Sequence, residues 1–109
     1  MRNGPLDLDV EQLRVRVRGR TVPLAGLQLK LLLYLARRPG WVFSRVQLLK
    51  AVWGIEPSHR DLKTVDVLVC RLRRRLGVAG RLIESVRSFG YRMRTTTDGP
   101  NDRDIAPGQ

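Results

Sequence analysis

Residues 63 to 76, K-T-V-D-V-L-V-C-R-L-R-R-R-L, constrain the fold more than any other stretch. At about 100° per residue, Val65, Val69, Leu72 and Leu76 fall along one narrow edge. The opposite side carries Lys63, Val67, Cys70, Arg71 and Arg74, with Arg73 and Arg75 on its flanks. Such a helix must bury its apolar edge against other elements and leave a cationic face outside. A helix is about 10–12 Å across and a DNA major groove about 12 Å wide. The basic face is therefore a candidate for reading a duplex.

The charge balance agrees. The 109 residues hold 21 Lys and Arg against 10 Asp and Glu, a formal +11. Residues 95–109 contribute one Arg and three Asp, so the first 94 residues carry +13. An excess of this size predicts a polyanion partner, of which nucleic acid is the usual one, though acidic lipid or acidic protein would satisfy the same balance. A length of 109 residues and 42% hydrophobic composition suit one small domain with a modest core. No apolar run approaches the ~18 residues of a membrane span, and the polar, acidic start does not resemble a signal peptide. A lone cysteine, Cys70, excludes an internal disulfide and fits a reducing, cytoplasmic setting.

The rest of the chain supplies partners for the two-faced helix. Leu6-Asp7-Leu8-Asp9 alternates apolar and acidic, and 13–18 alternates again, with Leu13, Val15 and Val17 on one face and Arg14, Arg16 and Arg18 on the other. Gly19-Arg20 is a turn candidate and 21–23 a returning strand, which together predict a small antiparallel sheet with one apolar face. The arginine stripe reads as a solvated edge surface. Residues 24–38 have helical spacing, with Leu29, Leu32, Leu33 and Ala36 on one face and Leu31 and Leu35 widening it. That helix should sit centrally and end at Pro39-Gly40. Trp41-Val42-Phe43 is a short extended link. Ser44 is an N-cap with Gln47 at the reciprocal position of a capping box, opening a helix that should bury Val46, Leu49, Val52 and Trp53 and stop at Gly54. Residues 55–62 read as a loop, with Thr64 capping the basic helix and Gly77 ending it. Residues 82–86 and 91–94 read as strands of a hairpin with a basic tip. Residues 95–109 read as a disordered tail beyond a domain of 1–94. The order is α+β: an N-terminal antiparallel sheet, three helices and a C-terminal β-hairpin wing, which describes a winged helix-turn-helix.

Four blocks then carry a family resemblance: L-A-G-L-Q-L-K-L-L from Leu24, P-G-W-V-F-S-R-V-Q-L-L-K-A-V-W-G from Pro39, T-V-D-V-L-V-C-R-L-R-R-R-L from Thr64, and I-E-S-V-R-S-F-G-Y-R-M from Ile83. In this order and spacing they resemble the C-terminal effector domain of OmpR/PhoB-type response regulators of two-component systems, over residues 6–93. The resemblance implies sequence-specific binding of double-stranded promoter DNA in transcription regulation. It puts the 63–76 helix in the major groove and the 83–93 wing on the adjacent minor groove or backbone. It places Lys63, Thr64, Val67, Leu68, Cys70 and Arg71 at base or groove contacts. It places Trp53, Arg73 and Arg87 at DNA backbone or wing contacts, and charge and position add Arg74. It further implies tandem protomers on direct repeats, and RNA polymerase as a partner of the 55–62 loop. The chain departs from the family at Ala25 and Gln28, where a Thr N-cap and a Glu partner are usual, and at Ser88, where the wing usually has Gly. Leu68 and Cys70 also replace more polar residues. No receiver module is found in these residues, so phosphorylation control is not implied for them.

The remaining side chains read blandly. Trp41 and Trp53 are expected in the core, and Tyr91 as a structural residue of the wing. Asp66 should orient a cation such as Arg60 or Arg87, or stay solvated. His59 has no companion at metal-ligand spacing. No nucleophile–base pair or phosphate-cradling glycine loop is present, so no catalytic site, metal or cofactor is expected. The rival function is a winged-helix interaction module for an acidic protein such as RNA polymerase, with DNA binding secondary.

Overall fold

The computed structural model describes residues 1–54 and 59–95, with the backbone alone for 59–61. The expectations for a loop at 55–58 and a tail at 96–109 lie outside the described residues. The chain opens with β1 (Arg2–Asn3), β2 (Leu6–Asp9), β3 (Arg14–Val17) and β4 (Arg20–Thr21), paired antiparallel in that order. Leu8 faces Val15 and Leu6 faces Val17 across the central pair. These four side chains are buried while Arg14 and Arg16 are exposed, as two-residue alternation requires. Leu13 does not join them. It occupies the β2–β3 turn at φ +54° and is 57% exposed, because the strand begins only at Arg14.

Helix α1 (Gly26–Ala36) lies at the centre and buries Leu31, Leu32, Leu35 and Ala36. Leu29 and Leu33 are only partly buried, so the face is rotated from the expected one. The lost N-cap is half compensated. Ala25 has no side-chain acceptor, but its N–H still donates to Gln28 Oε1 at 3.2 Å. Helix α2 (Arg45–Leu48) has the full reciprocal box: Gln47 N–H donates to Ser44 Oγ at 3.0 Å, and Ser44 N–H to Gln47 Oε1 at 2.7 Å. It runs on as a π-helical turn over Leu49–Trp53 and ends at Gly54. Leu48, Leu49 and Val52 are buried, whereas Val46 is 40% exposed. The helical wheel gives the reason: Val46 lies roughly 160° from Leu48, on the far side of the stripe.

Helix α3 (His59–Leu76) starts four residues before the expected 63, so Thr64 lies inside it and caps nothing. Gly77, at φ +59°, ends it in the left-handed conformation that suits a residue without a Cβ. A 3-10 turn (Gly77–Leu82) leads to β5 (Ile83–Val86) and β6 (Gly90–Met93), the wing. The 41–43 link is more than a connector. Phe43 N–H donates to the Tyr91 carbonyl at 2.9 Å and Tyr91 N–H to the Phe43 carbonyl at 3.0 Å, adding a bridge to the wing. Trp41 is not core: it is 60% exposed, with the Arg38 guanidinium 5.0 Å over its ring.

Candidate nucleic-acid interface

Helix α3 presents its two faces as its spacing dictates. Val65, Val69, Leu72 and Leu76 are at most 1% exposed. Lys63, Thr64, Val67, Cys70, Arg71 and Arg74 are all exposed. Leu68 is not on that face. It is 9% exposed and belongs to the core, because it lies only about 60° from the buried edge. The groove candidates thus reduce to Lys63, Thr64, Val67, Cys70 and Arg71. Lys63, Arg71, Arg74 and Arg87 form no ion pair with a described residue, so their charges stay available to a polyanion. Arg74 Nη2 lies 3.9 Å from Cys70 Sγ, a weak contact within one helical turn.

Arg73 is drawn inward instead. Its Nε and Nη2 donate to the Ile83 carbonyl at 2.9 and 2.7 Å, and Nη2 also to Ser85 Oγ at 3.0 Å. Its guanidinium lies 5.7 Å from the Tyr91 ring centroid. A fork committed to a backbone carbonyl clamps α3 to β5, so the structure makes Arg73 a wing-positioning residue rather than an open phosphate contact. Trp53 is half-buried against the core at the end of the π turn.

The Arg60 side chain lies outside the described residues, and Asp66, on the flank of α3, does not take Arg87. Its Oδ1 accepts the Tyr91 hydroxyl at 2.6 Å and its Oδ2 accepts Arg45 Nη1 at 3.0 Å. Burial, then the hydrogen bond to Asp66, push the Tyr91 phenol up to about 12. Asp66, Tyr91 and Arg45 therefore join α3, wing and α2 in one polar cluster. Sequence reading missed Arg45 and Tyr91 as partners of Asp66. The pairs lie 21 and 25 residues apart, and no periodicity reports contacts between elements.

The wing tip is a turn closed by Phe89 N–H donating to the Val86 carbonyl at 2.9 Å. It carries Arg87, exposed, and Phe89, 70% exposed. Ser88 adopts φ +71°, the conformation for which this position usually has Gly. Gly90, at φ +149°, lies against the Phe43 carbonyl so closely that any Cβ would collide with it. The wing is thereby pressed onto the segment that enters α2. Two further wing cations are spoken for: Arg92 and Arg94 pair with Glu84 at 2.8 and 3.2 Å. No group of acids, histidines and cysteines among the described residues is arranged to hold a metal ion. No helix among them is long and apolar enough to cross a membrane.

Comparison with known proteins gives the same picture. Residues 19–93 match the family model described as "Transcriptional regulatory protein, C terminal". The chain is 43% identical over 95 residues to the phosphate regulon transcriptional regulatory protein PhoB of Rhizobium meliloti, covering 85% of the chain and 41% of the relative. It is 41% identical over 93 residues to the transcriptional regulatory protein PrrA of Mycobacterium bovis, covering 84% and 40%. The chain thus spans about two fifths of the length of these relatives. Its fold is similar to the DNA-binding domain of CpxR from E. coli (TM-score 0.78, 28% identity, 89% and 97% of the two chains). It is also similar to the Klebsiella pneumoniae RstA DNA-binding domain solved in complex with the RstA box (TM-score 0.77, 30% identity, 86% and 95%). The sheet, the three helices, the wing and the matched blocks together place this chain in the family of C-terminal, winged-helix effector domains of OmpR/PhoB-type transcriptional regulatory proteins.

Proposed function

We propose that this domain binds double-stranded DNA sequence-specifically in transcriptional regulation, with α3 in the major groove and the wing on the adjacent minor groove or backbone. The observation that carries the reading is the face of α3: Lys63, Thr64, Val67, Cys70 and Arg71 stand exposed directly behind a fully buried edge. The RstA domain, a relative of the same fold, was solved on its DNA box. Arg71 and Lys63 supply donors for base edges, and arginine on guanine O6/N7 is worth about 1–3 kcal/mol of discrimination. Val67 and Cys70 suit thymine methyl groups. Arg74 and Arg87 serve phosphates, which position the protein and bring the salt dependence. The reading assigns the domain no catalytic step and puts it in the cytoplasm.

Two finer partner assignments go with this reading. Protomers pair in tandem on direct repeats, and RNA polymerase meets the 55–62 segment, of which 59–62 open α3 and 55–58 lie outside the described residues. Selection on randomised DNA at stated salt tests the first: repeats spaced near one helical turn support it, and a single short site removes it. On the selected site, Arg71→Ala should relax one base position and lose roughly 5- to 150-fold in discrimination. Arg74→Ala should weaken specific and random DNA alike and flatten the salt slope by about 0.9. Wild-type binding by both variants would refute the docking.

A further inference from the structure

We propose that the exposed patch of Arg37, Arg38 and Trp41 at the end of α1 is a docking surface for an acidic segment, and that its occupant is this chain's own 98–105 stretch, D-G-P-N-D-R-D-I. The patch shares no residue with α3 or the wing, so its occupancy is separable from DNA binding. The turn that ends α1 is closed by the Trp41 N–H, which donates to the Arg38 carbonyl at 3.1 Å. It lays the Arg38 guanidinium 5.0 Å over the indole ring. Phe43 lies 6.5 Å from the indole and is itself packed on Tyr34 at 4.9 Å. Trp41 nevertheless stays 60% exposed, with Val42 beside it also exposed. An indole held in place and left open suits a contact, because it loses little conformational freedom when covered. Arg37 and Arg38 are exposed and form no ion pair with a described residue. The elements around them bring no acid: residues 12–55 hold nine Lys and Arg and no Asp or Glu. Glu84, the one acid of the wing, is already taken by Arg92 and Arg94.

The chain itself delivers the missing charge to this place. Gly40 N–H donates to the Met93 carbonyl at 2.7 Å, and Thr95 shares with Ala36 and Pro39 the wall of a cavity of about 110 Å³. The chain therefore leaves Thr95 beside Pro39, the residue after Arg38. Asp98 lies three residues on and Asp102 seven, within about 10 and 25 Å of Thr95 at full extension, so both can reach the patch. Residues 96–109 carry three Asp and one Arg, opposite in sign to the rest of the chain. The carboxylates match the two guanidiniums, and Pro100 and Ile105 bring apolar surface for the indole. Arg2 also borders the exit and is the rival cation, but only Arg37 and Arg38 put the segment over Trp41. Exposed ion pairs are weak, and tethering offsets this: a short flexible link gives an effective concentration of about millimolar. A docked segment takes two unpaired cations and an open indole out of reach of other polyanions and apolar surfaces.

The test uses the full chain labelled with 5-fluorotryptophan, in which the Trp41 fluorine resonance is identified by its loss in Trp41→Phe. A neutral gadolinium chelate then reads the exposure of Trp41 and Trp53 separately. A contact of near-millimolar strength keeps the segment docked about half of the time, so the combined Asp98→Asn, Asp102→Asn and Asp104→Asn variant should show up to roughly twofold faster relaxation at Trp41. Trp53 should not change. Salt at about 1 M, where the screening length is ~3 Å, should expose Trp41 of the wild type equally and add nothing in the Asn variant. In a chain carrying Arg37→Gln and Arg38→Gln, the Asn substitutions should have little further effect, as coupled sites require. Unchanged thermal melts show that the variants fold. Equal relaxation at Trp41 in wild type and Asn variant at low salt overturns the proposal. So does an Asn effect that survives the loss of both arginines, which puts the segment on another cation such as Arg2. Protection of Trp41 that grows with protein concentration assigns the surface to the segment of a second copy and equally overturns it.

Discussion

Tyr91 shows how much one side chain is asked to hold. Its hydroxyl donates to Asp66, its ring lies under Arg73, and its backbone exchanges two hydrogen bonds with Phe43. The protonated phenol is the form that donates, so folding favours it and the pKa rises from 10.0 to about 12. Stability from this raised pKa is complete below the ordinary phenol value near 10 and is lost as pH climbs toward about 12. The melting-temperature gap between wild type and Tyr91→Phe should therefore be constant from neutral pH to about 9 and narrow above 10. A gap that stays constant through strongly alkaline pH would show that the Asp66 bond is not the source. The structural nature of Tyr91 was legible from the sequence; its partner was not, since Asp66 lies 25 residues away. Leu68 teaches the complementary lesson. The helical wheel puts it only about 60° from the buried edge, a placement the sequence reading did not use when family position drew it onto the reading face. The physics of the wheel was the better guide at that residue, while at Arg73 neither signal showed the Ile83 carbonyl waiting for its fork.

Elements were most legible where local chemistry decides them. Ser44 and Gln47 form their reciprocal box because both partners lie within one turn. Gly77 ends α3 because its φ is positive. The start of α3 was misread, since a helix can begin in a polar stretch once tertiary packing supports it. The π turn over Leu49–Trp53 and the exposure of Trp41 left no local signal, because each depends on what neighbouring elements cover. Helix α1 offers a direct test of capping. Its first turn has the Gln28 half of the box but no acceptor at Ala25. Ala25→Ser should supply it and raise stability by about 0.5–1 kcal/mol. The check is the urea midpoint, which should rise at constant m-value; an unchanged midpoint would mean the first turn is already satisfied by water.

One apolar cluster runs through the whole molecule, from Leu6 and Val17 of the sheet through Leu32 and Leu72 of the helices to Ile83 and Met93 of the wing. No second core exists among the described residues to let sheet or wing fold apart. Leu32, fully buried, should cost about 2–5 kcal/mol when truncated to Ala. Because the core is shared, the loss should appear in one cooperative transition. Hydrogen exchange would report it equally at β2–β3 and at β5–β6, and separate transitions at the two ends would contradict a single core. The α+β order was readable from the sequence because sheet, helices and wing follow one another along the chain. How they are joined was not, and the join at Phe43 has a mechanical consequence. Treated as a lever, a hairpin rooted at Ile83 and Met93 would carry Ser88 about 17 Å from its pivot, at ~3.3 Å per residue. The Phe43–Tyr91 bridge moves the pivot to the middle, leaving a free arm of about 10 Å. A tilt of about 5° then swings the tip by just under ~1 Å rather than ~1.5 Å. Stiffness where the wing meets Phe43, more than at its root, sets how accurately Arg87 is aimed.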